Sequence, residues 1–121
     1  MNSITIGKHA EAEACNYLIQ HGLELIDKNF TCKSGEIDLI MQDKDFYVFI
    51  EVRYRKKSKY GTGAESVTKN KQQKIIRTAK YYLLEKGLFD KIKCRFDVIS
   101  SSAEDENKIL WIKDAFWANA S

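Results

Sequence analysis

The spacing of apolar residues changes period several times along this chain, and each change marks an element. From about Thr5 to Gln20, Ala10, Ala14, Cys15, Tyr17 and Leu18 recur at helical spacing and form one stripe. Ser3 or Thr5 is available to cap this helix and Gly22 to end it. Leu23 to Phe30 reads as a strand and Thr31 to Gly35 as a turn. Two β-forming runs with alternating pattern follow, Gly35 to Ile40 and Phe49 to Arg55, and the polar stretch Gln42 to Asp45 between them supplies the turn of a hairpin. Lys56 to Ala64, with Ser58, Gly61 and Gly63, is a loop. Thr68 caps a second helix, Lys69 to Lys86, whose Ile75, Ala79, Tyr82 and Leu83 face inward and which Gly87 terminates. A strand at Lys91 to Ser100 sets Cys94, Phe96 and Val98 against Arg95, Asp97 and Ile99. An acidic turn (Ser101 to Asn107), a short edge strand (Ile109 to Lys113) and a terminal turn (Asp114 to Asn119) that docks Phe116 and Trp117 complete the chain. The order αβββαβ plus a tail predicts an α/β (α+β) fold. A three-strand antiparallel meander and a helical crossover to a parallel fourth strand make a mixed sheet flanked by helices.

Three carboxylates interrupt these apolar patterns. In the first hairpin strand Ile37, Leu39 and Met41 are expected on one face, with Glu36, Asp38 and Ile40 on the other. In the second, Ile50 and Val52 oppose Phe49, Glu51 and Arg53. A loop of two or four residues places Asp38 across from position 49 or 51, on the face that carries Glu51, and a four-residue loop sets the two carboxylates directly opposite. Like charges facing each other are destabilising unless a cation or a proton comes between them, which makes the pair a candidate metal site. The alternative is a solvated face with basic neighbours. Glu11 falls on the buried stripe of the first helix, whereas Glu13 points away with His9. A core-facing carboxylate needs a partner or a metal; the other reading is a rim residue bonded to a lysine.

Composition narrows the classes. The 121 residues suit one domain, 1–121, and no apolar run approaches the ~20 residues of a membrane helix. The N-terminus lacks a basic segment followed by an apolar one, so the expected location is cytoplasmic. Cys15, Cys32 and Cys94 have no paired spacing, and neither histidine stands near a cysteine at zinc-ligand spacing. The net charge of +3 conceals a segregation. Between Arg53 and Lys80 ten basic residues face one acid, Glu65, a local +9 that leaves −6 for the remainder. Arg53, Arg55, Lys56, Lys57, Lys59, Lys69, Lys71 and Lys74 are the candidate contacts to a polyanion such as a nucleic acid. Lys71 lies one turn before Ile75 and so projects near the buried side of its helix.

Gly7-x-x-Ala10-Glu11-x-x-Ala14, Gly35-Glu36-Ile37-Asp38-Leu39-Ile40, Phe49-Ile50-Glu51-Val52-Arg53, Val67-Thr68-x-x-Lys71 and Arg95-Phe96-Asp97-Val98 resemble, in order and spacing, the bacterial YraN family over nearly the whole chain. That family is similar to the restriction-endonuclease-like superfamily, in particular to archaeal Holliday-junction resolvases, whose signature is an acid followed by D/E-x-K. The resemblance implies Glu11, Asp38 and Glu51 as ligands of Mg²⁺ or Mn²⁺, with position 53 completing the signature. It also implies a DNA substrate, branched DNA included, and a homodimer. Two departures stand out: no proline precedes Asp38, and Arg53 occupies the place of the superfamily lysine. Arginine stays protonated and grips phosphate in a planar fork but cannot accept a proton. Lys71 is a substitute if its helix start faces the strand.

Three functions follow as expectations: a metal-dependent DNA endonuclease using Glu11, Asp38, Glu51, Arg53 and Lys71; a nucleic-acid-binding module with a nuclease-like fold and little turnover; and an adaptor that binds protein through Tyr60, Trp111, Phe116 and Trp117.

Overall fold

The two strands that carry Asp38 and Glu51 pair as antiparallel neighbours at the heart of a five-stranded sheet. The structure, a computed structural model, describes residues 3–55, 67–102 and 109–117. Its elements are α1 (Ser3–Gln20), β1 (Glu24–Cys32), β2 (Gly35–Asp43), β3 (Phe46–Arg55), α2 (Lys69–Glu85), β4 (Lys93–Ser102) and β5 (Ile109–Phe116). The sheet order is β1-β2-β3-β4-β5, antiparallel throughout except for the parallel β3–β4 pair. This is the mixed sheet with helices that the pattern predicts. No described helix is long and apolar enough to cross a membrane.

The helices begin and end where short-range chemistry directs. The Thr68 side chain accepts the Lys71 N–H at 3.1 Å, capping α2. At the other ends, the N–H groups of Leu23 and Leu88 close onto the carbonyls of Leu18 and Leu83, just beyond Gly22 and Gly87. The helices cover opposite faces of the sheet. α1 buries Ala14, Cys15 and Leu18 against Leu39, Met41, Val48, Ile50 and Ile99. α2 buries Ile75, Ala79, Tyr82 and Leu83 against Ile37, Ile40, Phe49, Phe96 and Val98. Fully buried residues such as Phe49 on the α2 side and Met41 on the α1 side each contribute about 1.5–3 kcal/mol, so both faces are anchored. Gly35 opens β2 at φ +145°, and a β-carbon there would lie 3.4 Å from Thr78 Oγ1; glycine lets β2 start close beneath α2.

Several expectations are corrected. The β2–β3 connection is a two-residue turn, Lys44-Asp45, because pairing persists to Asp43↔Phe46; it is this two-residue turn, and not a four-residue loop from Gln42, whose register runs on from Leu39↔Ile50 toward Asp38 and Glu51. β1 likewise runs on to Cys32, leaving Lys33-Ser34 as the turn. Ile37 and Leu39, two positions apart on one strand, belong to opposite core faces instead of sharing one. β1 turns at this place: Asn29 has φ 54°, at the position between Lys28↔Leu39 and Phe30↔Ile37 that faces Asp38. β5 continues to Phe116, replacing the expected terminal turn. The Asp114 N–H is held by buried Asp97 at 2.9 Å, which carries the pairing past Lys113. Phe116 docks, stacked on Phe96 with centroids 5.2 Å apart, but Trp117 is 62% exposed. The expected loop at Lys56 to Ala64, most of the acidic turn and Asn119 lie outside the described residues.

Candidate functional site

Asp38 and Glu51 meet where β2 and β3 part. Ladder pairing between the strands ends at Leu39↔Ile50, and the next position on each side is Asp38 and Glu51. Beyond that rung the Val52 N–H donates to Asp38 Oδ2 at 2.8 Å, so a carboxylate oxygen takes a main-chain donor at the split. Glu51 is 6% exposed, on the α2 side with Phe49. Its Oε1 lies 2.9 Å from Lys71 Nζ, which reaches down from the first turn of α2, and 3.8 Å from the Arg53 guanidinium. A buried carboxylate without such a counter-charge is costly, and Lys71 supplies it from another element.

Among the described residues Asp38 forms no ion pair. Burial and the neighbouring Glu51 carboxylate push its pKa up to about 7, Glu11 and Glu36 adding to the effect while the Val52 N–H opposes it. Glu11 is raised as well, chiefly by burial. A hydrogen bond with the Asn29 side chain and the charge of Lys8 pull the other way, and Glu36 and Glu51 add to the rise. Four acids therefore share one field. They do not close on a single point: among the described residues no three His, Cys, Asp or Glu side chains form a group that could hold a metal ion.

Two recesses flank the split. On the α2 side one of about 330 Å³ is lined by Gly35, Glu36, Thr68, Asn70, Lys71 and Lys74, among others. On the α1 side another of about 360 Å³ runs between the helix and β1 and includes Glu11, Asn29, Lys8 and Lys28. Lys69 and Lys74 are exposed on the opening turns of α2, close to Lys71. The Arg55 side chain and all of Lys56, Lys57 and Lys59 lie outside what is described, as does Tyr60. Trp111 lies on the α1 side, edge-on to Tyr17, with Lys113 Nζ 4.4 Å from its ring centroid.

The motif residue Asp97 has a different part. It is wholly buried and accepts from Arg95, from Trp111 Nε1 at 2.9 Å and from the Asp114 N–H at 2.9 Å. Arg95 also pairs with Asp43 at 2.9 Å. Burial disfavours the Arg95 charge, but the bonds to Asp97 and Asp43 outweigh it and raise the guanidinium pKa above its ordinary value. Strand alternation alone did not separate this structural aspartate from Asp38; Trp111 fourteen residues on was the available hint. Asn29, the partner of Glu11, was also missed, although a polar Asp-Lys-Asn run within an otherwise apolar strand marks a kink.

A family model described as uncharacterised protein family UPF0102 matches residues 10–100. The chain belongs to the UPF0102 family. This is the family to which the YraN resemblance points. A UPF0102 protein of Coxiella burnetii is 50% identical over 110 residues, covering 91% of this chain and 90% of that one. A UPF0102 protein of Hahella chejuensis is 46% identical over 116 residues, 96% and 93% of the two chains, and one of Legionella pneumophila is 47% identical over 110 residues, 91% and 92%. The span matched by the UPF0102 model holds Glu11, Asp38, Glu51, Arg53 and Lys71 and stops before β5.

Proposed function

We propose that this UPF0102 protein is a Mg²⁺- or Mn²⁺-dependent endonuclease acting on DNA, including branched DNA, at the point where β2 and β3 part. The observation that carries the reading is the position of Asp38 and Glu51 just past the last β2–β3 pair, Leu39↔Ile50, with Lys71 and Arg53 reaching the Glu51 carboxylate. The donor set suits Mg²⁺. That ion takes oxygen ligands, binds through only one or two carboxylates, and fills its remaining positions with waters and substrate phosphate oxygens. Asp38 and Glu51 would hold it, with Glu11 adding charge from the α1 side. A divalent cation also answers the crowding of acids that raises Asp38. When bound, such an ion supplies an activated water and offsets charge developing on the phosphate.

The remaining chemistry belongs to the side chains. Arg53 grips the phosphate through its planar fork. Lys71, held by Glu51 in the absence of DNA, is placed to bear on the same phosphate, and Lys69 and Lys74 extend that positive charge along α2. Arg55, Lys56, Lys57 and Lys59 follow Arg53 in sequence and would contact more distant phosphates.

The test is cleavage of linear, nicked, flap and four-way DNA with Mg²⁺ or Mn²⁺ and with EDTA. Metal-dependent cleavage that Asp38→Asn and Glu51→Gln both abolish is the expected result. Arg53→Lys should lower the rate, since the fork is lost. Sedimentation with and without four-way DNA tests the homodimer that the resolvase resemblance implies. A second reading has its own support. Glu51 is already neutralised by Lys71, and among the described residues no three acids gather; a DNA-binding module with the same groove but no turnover would look the same. Tight DNA binding without cleavage of any form, at micromolar protein over hours, decides for that module.

A further inference from the structure

The recess on the α1 side is left over from the carboxylate pair and its basic helix. It measures about 360 Å³, at the small end of the ~300–1,000 Å³ typical of ligand sites. Its inner wall is apolar, from Ala12, Cys15 and Leu39. Its polar groups are of three kinds: the ammonium groups of Lys8 and Lys28, both exposed, the Asn29 side chain, and the Glu11 carboxylate hydrogen-bonded to Asn29. The kink at Asn29, φ 54°, turns β1 at this place and sets that side chain beside Glu11 on α1. One apolar wall, two cations and a donor-acceptor pair match the parts of a nucleotide: a flat base, a phosphate, and an edge that carries hydrogen-bonding groups.

Size decides which form of nucleic acid can use it. Stacked base pairs cannot enter a recess of this volume, whereas one extruded or unpaired nucleotide can. We propose that the α1-side recess accepts a single unpaired nucleotide adjoining the phosphate held near Asp38 and Glu51, its base against Ala12 and its own phosphate between Lys8 and Lys28. Glu11 repels that phosphate and so keeps it at the lysine rim, while Asn29 and Glu11 meet the base edge. The inference rests on the nucleic-acid reading above and narrows it: the substrate is DNA with an unpaired nucleotide next to the contacted phosphate, as at a flap, a gap or a junction.

The experiment is equilibrium binding of the full chain, in EDTA, to blunt duplex and to the same duplex with one unpaired 2-aminopurine nucleotide. The wild type should bind the second DNA on the order of tenfold more tightly, the scale of one base's contacts, with a change in 2-aminopurine emission. Ala12→Phe, on an exposed helix position, fills the recess and should bring the ratio close to one and remove the emission change. Circular dichroism confirms that the variant folds. Lys28→Gln, which leaves the recess open, should lower the ratio about threefold. Equal affinity of the wild type for both DNAs, or a preference that survives Ala12→Phe, would overturn the inference and leave the broader reading intact. Failure to bind either DNA would overturn both.

Discussion

Replacing Asp38 by asparagine should change the pH dependence of stability, with a sign that follows from the site. The folded protein holds the Asp38 proton up to about pH 7, whereas an unfolded chain releases it near 3.8. Between those values the folded state binds more protons, so stability falls as pH rises through this window. Below it the carboxyl is neutral in both states and contributes no penalty; above about pH 7 it is ionised in both and the folded state bears the whole penalty. At about 1.36 kcal/mol per pH unit the full effect approaches about 4 kcal/mol. Asparagine keeps an oxygen for the Val52 N–H and carries no charge. Urea denaturation should therefore show Asp38→Asn more stable than the wild type by about 3–4 kcal/mol near pH 8, and nearly equal to it near pH 4. Mg²⁺ should close most of the gap at the higher pH by stabilising the wild type. A difference between the two proteins that does not vary with pH would refute the reasoning, because Asp38 would then be ionised throughout and satisfied by its neighbours.

Asp97→Ala should cost about 3–5 kcal/mol in the same assay, because it leaves the Trp111 and Asp114 N–H donors without their acceptor and half-buried Arg95 with Asp43 alone; a loss below 1 kcal/mol would mean that water replaces the carboxylate. Binding to duplex DNA should weaken with salt at a slope of about −4 to −5 in log–log form, and Lys56→Ala, Lys57→Ala and Lys59→Ala together should flatten it by about 3. A slope near zero would favour a protein-binding adaptor.

What could be read from the sequence was whatever depends on neighbours in the chain. Thr68 and Gly87 bound α2 because caps act over three or four residues, and the stripe Ala10, Ala14, Cys15, Leu18 is buried because helical period alone sets it. The opposition of Asp38 and Glu51 was legible as one register among two. Which register forms depends on whether Gln42 and Asp43 pair, and Asp43 is fixed by Arg95, from a strand fifty residues away. The exchange of faces at Ile37 was hidden for the same reason: strict alternation holds only while a strand is straight, and here the kink lies at Asn29 on the neighbouring strand. The lysine of the candidate site was visible only conditionally, since Lys71 belongs to a helix whose approach to Glu51 is a matter of packing. Trp117 was expected to dock because it is large and apolar, but β5 ends with Phe116 already filling the place beside Phe96.

The mixed topology also orders events in time. β1, β2 and β3 are joined by two-residue turns, so their pairing needs only local loop closure. The parallel β3–β4 pair, from Phe46↔Lys93 to Arg55↔Ser102, can form only after the whole intervening chain with α2 has been gathered in. Non-local parallel pairing of this kind is slow. Folding should thus assemble the two opposed carboxylates in an early meander and bring Lys71, their internal counter-charge, late. In stopped-flow experiments, truncations in the β1–β3 meander should slow folding, while Val98→Ala on β4 should mainly speed unfolding. For the interval between those steps the acids lack Lys71 and have Arg53, 3.8 Å from Glu51 on the same strand, beside them. A divalent ion present during refolding would then act on the kinetics as well as on the stability of the finished fold.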